Sequence, residues 1–408
     1  MRDKKGLALL LCVSLLFIMG LLMVFNTTAA EVLDRAIDRD IHYAFVRQLL
    51  YAVVGFLCAL GVWFIGYQTL LKMSGPLLIF FSFLLVLVFL PKVGLQINGA
   101  HRWINVFGNS FQPSEFVKYL IPMYYVQKVT MSAEPIKFSA FLRLMGLFII
   151  PMGLILLEPD NGTVFIIGCS LMVLFLLTRL RWTYWLLPFL AAVFLGGLVA
   201  SQMQHVPDRI LFFIHPEADL FGKGHQPYQS KIATGSGGLL GKGLGESLQK
   251  MNYLPEARSD YIAAIFAEEF GFVGICLMIL VYMVIGFLGF SIAMSCSHLS
   301  SFYLVSLFVF LICFQAFLNL GVVSGLLPSK GINLPFFSQG GSCLLSHFIV
   351  ISLILNIHKE NVQSYGPTIQ KNSHCCWGDR RPSFPCSSTS SAATDKRVRR
   401  SFYVKRAE

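Results

Sequence analysis

Charge is scarce in this chain. Asp, Glu, Lys and Arg make up 13% of its 408 residues, about half the share of a soluble domain. So few charges cannot cover the surface of a water-soluble fold in which 55% of residues are hydrophobic and 37 are Phe, which excludes an ordinary soluble protein. A disulfide framework is also missing. Most of the ten Cys sit inside apolar runs, where Cys acts as a small hydrophobe. His374, Cys375, Cys376 and Cys386 are too irregularly spaced for a zinc site. The stretch ending Gly241-Lys242-Gly243 is no phosphate-binding P-loop, because Ser236 stands where a Gly is needed and Gly243 where Ser or Thr is needed. No nucleic-acid motif and no internal repeat is present.

What the chain has instead is long apolar runs. A helix needs roughly 20 mainly apolar residues to cross a bilayer. Such segments fall near 6–26, 48–67, 74–91, 114–130, 139–157, 162–178, 183–203, 260–290, 301–326 and 342–358. The expected fold is therefore an all-α integral membrane protein of about ten helices. The membrane domain is 1–358, with a large extracytoplasmic loop, 204–259, between helices 7 and 8. Residues 359–408 form a basic tail, Ser- and Pro-rich and expected to be disordered. The first run is longer than the apolar part of a signal peptide and reads as an uncleaved helix.

Lys72, Lys128, Lys137, Arg143, Arg179 and Arg181 occupy short loops on one side, and the tail from residue 361 adds nine basic residues against three acidic. Both place the two termini in the cytoplasm. The polar segments 92–113, 158–162, 204–259 and 327–341 then share the outer side, which is the expected working face.

Four sets of residues there bear chemistry. Asp260 stands where Leu254–Asp260 meets the apolar run of helix 8; it can cap that helix or serve as a general base at the membrane surface. Glu268 and Glu269 lie about 12 Å further along the helix and need an interior partner, the plainer reading, or a water or proton path. Glu115 and Lys118, three apart on one face behind a cap at Ser114, can pair. Arg102 beside Trp103 suits an interfacial anchor or a phosphate contact, and Lys231, Lys242 and Lys330 are further outer cations.

Taken together, these segments resemble a known family. Residues 99–118 (GAHRWINVFGNSFQPSEFVK), 158–163 (EPDNGT), 229–250 (QSKIATGSGGLLGKGLGESLQK), 254–274 (LPEARSDYIAAIFAEEFGFVG) and 327–345 (LPSKGINLPFFSQGGSCLL) are similar, in this order, to the motifs of the SEDS family of shape, elongation, division and sporulation proteins. Leu254–Ala257 and Leu327–Phe336 look closer to its cell-division branch than to its elongation branch.

The resemblance implies a peptidoglycan glycosyltransferase of the bacterial inner membrane, active at the division septum. It would polymerise lipid II with release of undecaprenyl pyrophosphate and work with a class B penicillin-binding protein and other division proteins. It also implies catalysis by Asp260, substrate contacts at Arg102, Glu115, Lys118, Lys242, Gln249, Lys330 and Ser338, and a divalent cation as a helper of the pyrophosphate, for which no dedicated ligand set stands out. Arg258-Ser259 before Asp260, Gln339, and His225-Gln226-Pro227 depart from the family pattern. A flippase for lipid-linked intermediates and a non-catalytic scaffold are the competing readings.

Overall fold

A computed structural model describes residues 3–35, 42–91, 93–97, 100–106, 108–132, 136–190, 213, 219, 222, 224–251, 254 and 256–373. The chain divides into two compact units, 1–363 and 364–408. The helices are α1 (Asp3–Arg35), α2 (Tyr43–Ile65), α3 (Tyr67–Lys72), α4 (Ser74–Leu87), α5 (Ser114–Met131), α6 (Phe138–Leu157), α7 (Asn161–Leu177), α8 (His225–Ser236), α9 (Ile262–Met294), α10 (Leu299–Val323) and α11 (Gly341–Ser373).

Among the described residues, six helices are long and apolar enough to cross a membrane: α1, α2, α6, α9, α10 and α11, with α4 and α7 as shorter apolar helices. Most of each span of α1, α2, α6 and α9 faces outward, whereas α10 and α11 are largely enclosed by protein. The outward faces carry Leu57, Phe64, Ile79, Ile149, Leu157 and Phe287, all exposed. Side chains of this kind on every outer helix suit a hydrocarbon surrounding. The expected seventh helix, 183–203, lies mostly outside the described residues; of it, 183–190 are helical. The expected tail is likewise outside from 374 on, while α11 runs past 358 to Ser373.

The fourth segment is the weakest by hydropathy because it carries Glu115, Lys118 and Gln127. As α5 it is buried along most of its length, packed against α4, α7 and α10. Its polar side chains face protein partners. Lys118 Nζ donates to Glu115 Oε2 at 2.7 Å and to Gln315 Oε1 of α10 at 2.8 Å. Gln127 donates to the Lys72 carbonyl and accepts from Ser74.

Residues 92–113, expected as a loop, fold into a three-stranded antiparallel sheet. The strands are β1 (Gly94–Ile97), β2 (Ala100–Val106) and β3 (Asn109–Phe111), in the order β1-β2-β3. The β2–β3 turn passes through Gly108 at φ +80°, a conformation glycine adopts without strain. Residues β-branched or aromatic in β2 (Trp103, Ile104, Val106) favour the extended chain.

α9 contains a break. Gly271 has φ +66° and ψ −165°, outside the helical region. Residues 237–243 of the glycine-rich loop lie against it. The Lys242 and Gly243 amides donate to the Glu268 and Glu269 carbonyls on one side of the break. On the other side the Phe272 and Val273 amides donate to the Gly238 and Leu239 carbonyls. The loop thus supplies backbone partners that the interrupted helix cannot supply itself.

Candidate active site

The sheet, the α6–α7 turn, the start of α8, the residues before α9 and the segment 329–331 meet around a polar cavity of about 170 Å3. Arg102, Asp160, Gln226, Asp260, Tyr261 and Lys330 line it. A polar cavity of that size holds several waters, room for a reacting group and its charges.

Asp260 sits one residue before the N-cap of α9. The N-cap is Tyr261, and no side chain caps the helix there, so the capping role open to Asp260 is not taken. Its backbone is fixed instead: Asn319 of α10 donates Nδ2–H to the Asp260 carbonyl at 2.8 Å and to the Ile332 carbonyl at 2.6 Å. Gly331 packs so close that a Cβ there would sit 2.9 Å from Asp260 Oδ2. The carboxyl is thereby left to face the cavity. Burial, with Glu256 and Asp160 adding negative charge and Arg102 opposing them, pushes its pKa up to about 7. A carboxylate so placed can take a proton near neutral pH.

Arg102 is held by two carbonyls. Its Nε donates to Glu158 O at 3.0 Å and its Nη2 to Pro159 O at 2.6 Å. The contact ties β2 to the α6–α7 turn and leaves guanidinium donors at the cavity, since the group has five. Lys330 lies with its Nζ 4.6 Å from the centre of the Phe165 ring, an arrangement that orients the ammonium by cation–π attraction.

Asp160 stands in the motif 158–163 but is not among the expected site residues, yet it lines the same cavity. It caps α7, accepting from the Thr163 amide at 3.2 Å and from Thr163 Oγ1 at 2.8 Å. It also accepts from Gln112 and Ser114 in front of α5. Ser114 therefore bonds to Asp160 and not to its own helix, whose N-cap is Pro113. The Asp-x-x-Thr spacing before an apolar run is the sequence signal for this cap. Next to it, Glu158 is fully buried with both carboxyl oxygens unpartnered. Burial, with Asp160 adding to it against Arg102, raises its pKa to about 9, so it is a neutral acid at pH 7.

The remaining candidates lie elsewhere. Glu115 and Lys118 form an interior pair, Lys118 being 1% exposed. Lys242 is bonded to Glu268 at 2.6 Å. Glu268 also accepts from Ser236, from Ser247 at 2.5 Å, and from the amides of Leu248 and Gln249. Glu269 pairs with Lys250 at 2.9 Å and accepts from Asn26 of α1 at 2.6 Å. The interior partners that these two acids require are thus loop lysines, so both acids fasten the glycine-rich loop to α9. Gln249 takes part through its amide. Ser338 closes a turn, its Oγ accepting from the Leu334 amide at 2.8 Å. Arg258 and Gln339, two of the departures, meet directly: the Gln339 amide donates to the Arg258 carbonyl.

A multi-helix membrane bundle with a charged cavity at one end, holding a near-neutral carboxyl between cations, is built to handle a polar group at a bilayer surface. Residues 7–363 match the family model FTSW_RODA_SPOVE, described as "Cell cycle protein", and the chain belongs to that family. It is 36% identical over 357 residues to the "Probable peptidoglycan glycosyltransferase FtsW" of Trichlorobacter lovleyi, covering 87% of this chain and 93% of that one. It is 34% identical to the "Stage V sporulation protein E" of Bacillus subtilis, covering 88% and 98%. The solved RodA structure of Thermus thermophilus superposes with a TM-score of 0.63 at 25% identity, covering 86% and 96%. A chain from a structure titled "Structural coordination of polymerization and crosslinking by a peptidoglycan synthase complex" superposes at 0.70, also at 25% identity, covering 87% and 98%.

Proposed function

We propose that this protein is a peptidoglycan glycosyltransferase that polymerises lipid II, with Asp260 as general base. The observation that carries the reading is the Asp260 carboxyl, tuned to about pH 7 in a cavity it shares with Arg102 and Lys330. The names of the family relatives support the reaction class.

In the proposed step Asp260 accepts the proton of the acceptor sugar's 4-hydroxyl. The oxygen forms a bond to the donor's anomeric carbon as the bond from that carbon to pyrophosphate breaks. The electron pair leaves with undecaprenyl pyrophosphate, and Arg102 and Lys330 steady the charge that grows on its oxygens. Of the cations expected to do this, Lys118 and Lys242 are committed to Glu115 and Glu268 and serve the scaffold instead.

A divalent cation fits this site in one manner. Among the described residues no group of three or more His, Cys, Asp or Glu gathers, but Asp160 lines the cavity beside Asp260 and would hold the ion, leaving the Asp260 carboxylate as the base. A magnesium-type ion needs only one or two carboxylates beside substrate phosphates and water. Bound there, it would neutralise the leaving pyrophosphate.

The same reading places the protein in the bacterial cytoplasmic membrane, at the septum, with both termini inside and a class B penicillin-binding protein as the crosslinking partner. Basic residues on the opposite side of the membrane from the cavity support the orientation.

The deciding experiment is polymerisation of fluorescent lipid II by purified protein with and without its partner, beside Asp260→Ala. Glycan from the parent chain and none from the variant is expected. Polymer at equal rates from both would end the assignment of Asp260. Lipid translocation into vesicles with no polymer from either would replace the enzyme by a flippase.

A further inference from the structure

A short part of the glycine-rich loop is apolar where a water-facing loop has no cause to be. Leu239, Leu240, Leu244 and Leu248 are 72%, 81%, 67% and 61% exposed. One exposed leucine is ordinary, but four within ten residues signal a surface that meets something apolar.

Three observations name what it meets. First, the loop's charges are largely cancelled from within. Lys242 is paired with Glu268 and Lys250 with Glu269, leaving Glu246 as the other charge between 237 and 251.

Second, the loop backbone is partly satisfied by protein. The Gly238 and Leu239 carbonyls and the Lys242 and Gly243 amides all bond to α9. These bonds lower the cost of bringing the loop backbone to the membrane interface, where headgroups and water can satisfy the rest, while the leucine side chains reach inward.

Third, the patch continues a surface already read as lipid-facing. Phe272 and Val273, whose amides bond to Gly238 and Leu239, are exposed. Leu277, Leu280, Met283 and Phe287 carry the exposed apolar stripe on down α9. The helix below the break, 272–294, is roughly 35 Å long at 1.5 Å per residue, enough to cross a core of about 30 Å. The break at Gly271 therefore falls near the edge of the hydrocarbon, and the leucines lie at that level.

We propose that residues 239–248 are seated in the bilayer, with Leu239, Leu240, Leu244 and Leu248 among the acyl chains of the leaflet at the cavity end and Glu246 among the headgroups. The loop is then a membrane anchor in its own right and holds the start of α9, with Asp260, at a set height over the lipid. This assignment rests on membrane insertion alone and is independent of the reaction catalysed.

The test places a benzophenone amino acid at position 240 or 244 of the full-length chain in phosphatidylethanolamine–phosphatidylglycerol vesicles. The same probe at Phe287, exposed on the membrane-crossing part of α9, reports acyl-chain contact and verifies insertion. At His101, exposed on β2, it reports the aqueous background. After irradiation, mass spectrometry counts lipid adducts. Lipid adducts at 240 and 244 on the level of position 287 are expected. Adducts no more frequent than at 101 would overturn the proposal, and so would crosslinks to protein in place of lipid once a partner protein is included, which would make the patch a protein–protein surface.

Discussion

Asp260 and Glu158 are two carboxyls close to one cavity. Burial raises the pKa of both and Arg102 opposes the rise in both, leaving Asp260 at about 7 and Glu158, whose oxygens have no hydrogen-bond partner, at about 9. If Asp260 is the base, only its ionised form works, so the polymerisation rate should fall below about pH 7 with a slope of one proton. A rate profile flat from pH 6 to 8 would remove it from that role. Glu158 acts on stability. Its folded pKa lies above the unfolded value of about 4.3, so the folded state is favoured at low pH and that advantage fades as pH climbs toward 9. Glu158→Gln should therefore raise the melting temperature more at pH 8 than at pH 5, as thermal unfolding in detergent would record. Asp260 is legible in the chain because a carboxylate stands at the mouth of an apolar run. Asp160 and Glu158 are legible only in part: the motif 158–163 contains both and the Asp160-to-Thr163 spacing signals the cap, but a short turn does not disclose that Glu158 is buried or that Asp160 borders the cavity.

The elements around the site are legible to different degrees. Hydropathy reports lipid contact, so α1, α2, α6 and α9 are plain, while α5, wrapped by protein, looks weak because its polar side chains find partners there. The sheet escapes a hydropathy reading although Trp103, Ile104 and Val106 before Gly108 mark a strand and its turn, because its outer faces are mixed and the alternation is short. Within α9, Gly271 carries a positive φ and a Cβ there would lie 2.3 Å from the Gly241 amide nitrogen. Gly271→Ala should lower stability by about 2 kcal/mol or more, from backbone strain of about 1–3 kcal/mol plus the clash, measured by denaturation of the purified chain. Glu268→Gln should leave the helices intact but loosen residues 237–250, seen as faster amide exchange there. Unchanged exchange would show that the backbone bonds alone hold the loop.

For the whole molecule, the ten-helix expectation meets six long apolar helices and two shorter ones among the described residues, with α5 as a polar-faced member of the same bundle. Its interior pair reaches across the fold: Lys118 of α5 bonds to Gln315 of α10, which in turn donates to the Asn333 carbonyl in the segment that leads to α11. Removing one partner of such a buried pair typically costs about 3–5 kcal/mol. Lys118→Met alone should thus destabilise the protein by that order, and Glu115→Gln added to it should restore part of the loss in a double-mutant cycle. Additive losses would mean that the two side chains are held independently.

The interruption at Gly271 has a mechanical consequence. Backbone bonds from one loop grip the helix on both sides of it, so the bend is splinted like a set bone and cannot flex as a hinge. A sideways push on the lower rod at Leu280 is then expected to reach the short rod 262–270, and Asp260 before it, through those bonds as well as through the chain. Paired spin labels at positions 240 and 280 should accordingly give one narrow distance distribution, whatever is bound in the cavity.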